Sequence, residues 1–390
     1  MAFGVYVHIP YCIQRCTYCD FATYEQSKIL PPDQYVQVLF QEIRQKHQYY
    51  TPRKLDTLYF GGGTPSLIPA PLIVSIIKEL EKFGYTTGPE TEVTIEINPA
   101  TVSEDKLKMY LDNGINRFSV GAQTFDNRLL KMVHREHNAK QTLETLDLLR
   151  RYNLNFSFDI LFALPSQTLE GLQNDVHIAM DQGASHISPY CLTVPDTHPL
   201  AKGRPIEDDQ VAMFEHIEQE LTKKGFEQYE ISNFSLPGKE SQHNLLYWTD
   251  EEYWGLGLSS HSYSRKTEWG TRYWNLSSIG EYTKQIQADE GKEFQAPHTH
   301  LPGGQFEILE KNQALTDFCH TSLRLMRGLR VQELQSKFPE AVSSRVLGLL
   351  SGIEKKGWIT EKNGSWSLTR EGLVLSNRVF QDLTFLPGEI

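Results

Sequence analysis

Short apolar, β-rich runs alternate along the first half of the chain with longer stretches whose apolar positions recur every three to four residues. The runs are GVYVHI at 4–9, LDTLYF at 55–60, EVTIEI at 92–97, RFSVG at 117–121, NFSFDILF at 155–162 and HISPYCL at 186–192. Each reads as a strand, and the stretches 34–50, 71–83, 103–113, 140–152 and 169–182 read as helices. Strands that alternate with helices imply a parallel sheet, here six β/α units over 1–205. Ser103 starts a helix and Gly114 lies just past its apolar stretch, which supports the unit boundaries. FDILFALP is a buried-strand run that ends in a Leu164-Pro165-Ser166 loop. In such a sheet, functional groups gather at the C-terminal ends of the strands.

Beyond residue 205 the alternation weakens. A helix is expected at 208–224, then the aromatic and glycine-rich stretch YWTDEEYWGLGLSSHSY, so 206–302 reads as an accessory segment closing the barrel. Helices at 306–325, 331–338 and 343–356 precede WITEKNGSWSLT, a hairpin turning at Asn363-Gly364, so 303–390 reads as a small helical, winged-helix-like domain. Lys355, Lys356, Arg370 and Arg378 would suit DNA, yet Glu354, Glu361 and Glu371 interleave with them. Fold shape alone establishes no function, and a packing role is the expectation.

Composition narrows the classes. Of 390 residues, 39% are hydrophobic and 11% aromatic, enough for packed cores. A formal charge of -11 argues against general attraction to nucleic acid or anionic lipid. The opening MAFGVYVHIP lacks a basic leader pattern and no window approaches a membrane span, so the expected location is cytoplasmic.

Five cysteines, three of them within eight positions, make a poor disulfide framework and a good metal-thiolate cluster. Cys12, Cys16 and Cys19 follow the first strand at the spacing C-x3-C-x2-C, whereas Cys191 and Cys319 stand apart and read as structural. Three thiolates on one loop hold three irons of a cubane and leave the fourth open to a ligand. A zinc site completed by His8 and a Cys16-x-x-Cys19 dithiol are the rival readings of the same residues.

With Tyr18 as the aromatic before the last cysteine, the motif resembles the signature of the radical S-adenosylmethionine superfamily. That resemblance implies a [4Fe–4S] cluster whose open iron is chelated by S-adenosylmethionine, and one-electron cleavage of the sulfonium. The loop YFGGGTPS resembles the superfamily's glycine loop for the methionine amino group, and glycines let backbone approach a ligand closely. Glu96, Gln123, Arg135 and Asp159 follow at successive strand ends or the next loops. Together these motifs resemble the HemN-like branch, and the resemblance assigns Tyr6, Tyr18, Gly62, Gly63, Thr64, Glu96, Gln123, Arg135 and Asp159 to S-adenosylmethionine. It implies a partial (β/α)6 barrel with a HemN-type C-terminal domain.

Within that branch, the porphyrinogen-oxidising enzymes carry a further cysteine where this chain has Phe21, and a longer N-terminal extension. CDF, HNLLY at 243–247 and GLGLSSHSY instead resemble the heme chaperones of the HemW family. The implied function is binding heme and delivering it to apo-hemoproteins such as respiratory oxidases, with an electron donor and without coproporphyrinogen III dehydrogenase activity. Oxidative decarboxylation of coproporphyrinogen III is the alternative. A homodimer and transient contact with membrane proteins are compatible with the chaperone reading. His243 and His261 are the imidazoles suited to heme iron, because a neutral ring in aromatic surroundings fits a flat macrocycle.

Overall fold

The computed structural model describes residues 2–288, 290–291 and 305–390. Six strands run parallel and pair in chain order: β1 (Phe3–Ile9), β2 (Thr57–Gly62), β3 (Glu92–Ile97), β4 (Arg117–Gln123), β5 (Asn155–Phe162) and β6 (His186–Cys191). The crossovers are helices that include α1 (Pro32–Lys46), α2 (Ala70–Lys82), α3 (Glu104–Asp112), α4 (Ala139–Arg151) and α5 (Leu169–Asp181). Their caps follow local chemistry. Ser103 accepts from Lys106 N, Thr168 from Gly171 N, and Asn138 forms a capping box with Gln141. Ser103→Ala is expected to cost about 1 kcal/mol, read as a lower urea midpoint at unchanged slope.

The strands after residue 205 extend this sheet at both edges. β7 (Glu227–Glu230) and β8 (Asn233–Ser235) lie beyond β6, while β9 (Glu252–Leu256) runs parallel to β1. β10 (His261–Ser264), β11 (Thr271–Trp274) and β12 (Gln305–Ile308) continue outward antiparallel. Among the described residues the sheet is open, with β12 and β7 as its edges. Gln305–Ile308 therefore corrects the expected helix at 306–325, which is shorter, Lys311–Arg324. The expected boundary at 302/303 lies outside the described residues.

The core is continuous from the β1–β6 sheet through α1 and α2 to Trp254 and Tyr273. A second cluster holds the C-terminal helices to a three-stranded sheet of Leu329–Arg330, Ser365–Leu368 and Ile359–Lys362. Its hairpin turns on Asn363 and Gly364, both at positive φ (53° and 76°), as a two-residue turn requires. The two parts are joined by charge. Glu230 on β7 is fully buried and receives Arg324 Nε at 2.7 Å from the helix Lys311–Arg324. The Arg324 guanidinium also lies 4.4 Å above the Trp248 ring. Among the described residues no helix is long and apolar enough to cross a membrane.

Candidate cofactor-binding site

A cavity of about 460 Å³ lies at the C-terminal ends of the parallel strands. Its lining brings together Cys12, Cys16, Cys19, Tyr18, Gly62, Gly63, Thr64, Glu96, Gln123, Arg135 and Asp159. Tyr6, His243 and His261 do not reach it.

The three thiols ride on the loop after β1. Arg15 pins that loop by donating to Cys19 O at 2.8 Å, and Arg135 NH1 reaches Cys16 Sγ at 3.5 Å. Burial pushes the Cys12 thiol up to about 11, and the neighbouring Cys16 and Cys19 add to this, so metal binding must displace a proton there. No group of three or more His, Cys, Asp or Glu among the described residues is arranged to hold a single metal ion. A mononuclear zinc would need its sulfurs on bonds of about 2.3 Å around one point. Nor is His8 free to complete such a site: its ring meets Tyr6 OH at 3.2 Å and Ala22 O at 3.0 Å. Three thiols on one loop that line one cavity suit a metal-thiolate cluster.

The glycine loop leans on the cysteine loop. Gly63 N donates to Ile9 O at 2.9 Å and Thr64 N to Tyr11 O at 2.7 Å. A Cβ at Gly63 would lie 2.6 Å from Tyr11 O, and Gly62 holds φ 111° with the His8 ring where its Cβ would be. Only glycine fits either position.

Glu96 and Asp159 face the cavity from neighbouring walls. Burial raises Glu96 to about 7, with Asp159 adding, although Tyr59 OH at 2.9 Å and Gly62 N at 3.1 Å favour its charge. Burial likewise raises Asp159 to about 6 against the pull of Ser188, Arg117, Arg135 and Ser119. Two carboxylates held partly protonated at neutral pH are poised for a cation. Arg117, 2% exposed, has its Nε buried without a hydrogen-bond partner, and Glu92 is its ion partner at 3.7 Å. Arg135 Nε and His186 Nδ1 are also buried without partners, so the chamber is built to receive polar atoms. Gln123 and His134 sit at φ 70° and 57°, strain of the kind that collects at ligand sites. A sulfonium nucleotide bearing an ammonium, a carboxylate and ribose hydroxyls suits this donor set.

Sequence reading missed the deeper wall, namely Arg117, Ser119, Ser157, His186, Ser188, Tyr190 and Asn244. The signal was present, because 117/119/121/123, 157/159/161 and 186/188/190 repeat at the strand period of two and share the inward face. Cys191, read as structural, is half-buried on the cavity wall with its thiol directed to Gln210 Oε1 at 3.5 Å.

His243 lies beneath the cavity, 1% exposed, in helix α6 (Gln242–Trp248). Nδ1 meets Thr57 Oγ1 at 2.7 Å and Nε2 meets Tyr247 OH at 2.8 Å, and burial holds the ring neutral, near 3. His261 is exposed on β10 and stacks on Trp274 with ring centres 5.4 Å apart.

A parallel β/α sheet with a three-cysteine cavity at its strand ends defines the radical S-adenosylmethionine class. Residues 6–179 match the model for the Radical SAM superfamily, and residues 309–375 match that for the HemN C-terminal domain. The chain is 31% identical to heme chaperone HemW of Lactococcus lactis over 97% of its own length and 96% of that protein. It is 32% identical to heme chaperone HemW of Bacillus subtilis, over 97% and 98%. The chain belongs to the HemW family. Its fold is also that of coproporphyrinogen III oxidase (HemN) from Escherichia coli, with a TM-score of 0.82 at 19% identity, covering 98% of this chain and 90% of the other.

Proposed function

We propose that this protein carries heme and hands it to apo-hemoproteins, respiratory oxidases among them, using a [4Fe–4S] cluster on Cys12, Cys16 and Cys19 together with S-adenosylmethionine. The observation that carries this reading is likeness to heme chaperones along 97% of the chain, through both the thiol cavity and the C-terminal segment. Phe21, 66% exposed at the cavity mouth, presents a ring where the porphyrinogen-oxidising relatives have a thiol. An apolar lip favours docking a macrocycle over binding metal there.

When bound, the cluster would supply one electron to the sulfonium. This chain's residues would do the holding: Gly62, Gly63 and Thr64 would offer backbone to the methionine end, Glu96 and Asp159 would balance cationic groups and accept from hydroxyls, Gln123 and Tyr18 line the walls, and Arg135 would pair with an anionic group. Of the two expected heme histidines, His261 presents an accessible ring. His243 has both nitrogens engaged, and iron ligation would break one of those bonds in the core.

The test is anaerobic titration of the reconstituted protein with heme, followed by transfer to an apo-oxidase with and without S-adenosylmethionine. A shifted Soret band and transfer to the recipient are expected, and incubation with coproporphyrinogen III, S-adenosylmethionine and reductant should yield no protoporphyrinogen. Robust protoporphyrinogen formation, or no heme binding, overturns the proposal.

A further inference from the structure

The geometry points to His243 as a positioning residue for the S-adenosylmethionine cradle: it clamps Tyr59 from below and so fixes the Glu96 carboxylate and the Gly62 backbone. The inference rests on the cluster and S-adenosylmethionine reading above, and it gives the HN-x-x-Y segment a role other than iron ligation.

Three rings are layered beneath the cavity. Tyr6 and Tyr59 are register partners on β1 and β2, stacked with centres 6.0 Å apart, and His243 from α6 stacks on Tyr59 at 5.0 Å and on Tyr6 at 6.3 Å. The imidazole cannot slide, because Thr57 holds one nitrogen and Tyr247 the other. Its own helix is fixed by Glu92, which accepts from Gln242 N at 3.1 Å and His243 N at 3.0 Å. Asn244, the next residue, lines the cavity itself.

Two arms rise from this stack and meet at one glycine. Along the first, Tyr59 OH donates to Glu96 Oε1 and the other carboxylate oxygen receives Gly62 N. Along the second, Tyr6 OH meets His8 Nδ1, and the His8 ring packs where a Gly62 side chain would stand. His8 also bonds Ala22 O, three residues past Cys19, so the same arm steadies the cysteine loop. Removing the His243 ring therefore frees Tyr59 to turn and leaves Glu96 without its oriented donor. A hydrogen bond to a carboxylate that must face a cation is worth about tenfold in affinity. The far end of α6 meets the C-terminal part of the chain, where Trp248 lies under Arg324.

The experiment measures S-adenosylmethionine affinity by equilibrium dialysis and follows the change it causes in the electron paramagnetic resonance spectrum of the reduced cluster. His243→Ala should keep its iron and sulfide, bind S-adenosylmethionine about tenfold more weakly, and leave the heme Soret position unchanged. His243→Phe, which restores a ring to the stack, should recover part of the affinity. Tyr59→Phe removes one hydroxyl and keeps the packing, so it carries the test even where His243→Ala fails to fold. It should weaken binding to a similar extent, and the double variant His243→Ala/Tyr59→Phe should be no weaker than His243→Ala, as for members of one network. Wild-type affinity in both single variants overturns the inference, as does a lost or shifted Soret band in His243→Ala with S-adenosylmethionine affinity intact. If the wild-type cluster itself does not respond to S-adenosylmethionine, the underlying cofactor reading has failed instead.

Discussion

Replacing Cys16 with alanine is expected to abolish the cluster while leaving the protein folded. The thiol sits on a loop outside the packed core, partly accessible and within 3.5 Å of Arg135 NH1, so its removal deletes a metal ligand rather than packing. Folding stability should change by roughly 1 kcal/mol or less, in line with a partly exposed position. Iron and acid-labile sulfide should fall to background, and S-adenosylmethionine binding should fall with them. Cys191→Ala is the matched control. Its thiol shares the cavity wall but turns to Gln210, so that variant should retain four irons. A four-iron spectrum in Cys16→Ala would be inconsistent with the ligand assignment, and stoichiometric zinc in the wild type would replace it altogether.

Glu96→Gln is expected to stabilise the ligand-free protein at pH 8 and to weaken S-adenosylmethionine binding by tenfold or more. Enclosure lifts Glu96 from 4.5 to about 7, so the ionised form is disfavoured in the folded chain. A folded value above the unfolded one contributes stability fully below about pH 4.5, and that contribution is lost as pH rises through 7. Asp159, lifted from 3.8 to about 6, loses its contribution through pH 6. Each carboxylate accounts for roughly 3 kcal/mol. The melting temperature of the ligand-free wild type should therefore fall between pH 5 and pH 8, and Glu96→Gln should flatten that fall. Binding runs the other way, because a cationic ligand needs both carboxylates charged: affinity should climb from pH 5 and level off near pH 8. A pH-independent affinity would separate these two groups from the cation.

How much of this was legible beforehand follows from sequence separation. The six parallel strands and their helices are written in local periodicity, with Ser103 and Gly114 marking the start and stop of one helix, and Asn363 and Gly364 mark the turn of the C-terminal hairpin. Residues at those strand ends do share one cavity, as strand-end position implies, while the binding roles given to them came from family resemblance. What local pattern could not supply was pairing between distant segments. β9 joins β1 across some 250 positions, and Glu252, Tyr253 and Trp254 read equally well as loop. The helix expected at 306–325 takes in Phe306, Glu307 and Ile308, which instead pair with β11 as part of the edge strand Gln305–Ile308. Its neighbours in sequence offer His243 as an imidazole for heme iron, whereas Thr57 and Tyr59, some 185 residues away, are what hold and stack on its ring.

The Glu230–Arg324 pair has one more implication. A carboxylate with no solvent contact tolerates separation from its counter-charge poorly, at several kcal/mol. The last eighty residues are thus welded to the rim of the sheet at a point where Arg324 also covers Trp248, the end of the helix that carries Asn244 into the cavity wall. A pull on the tail would therefore be felt, through that short helix, at Asn244 in the cavity wall.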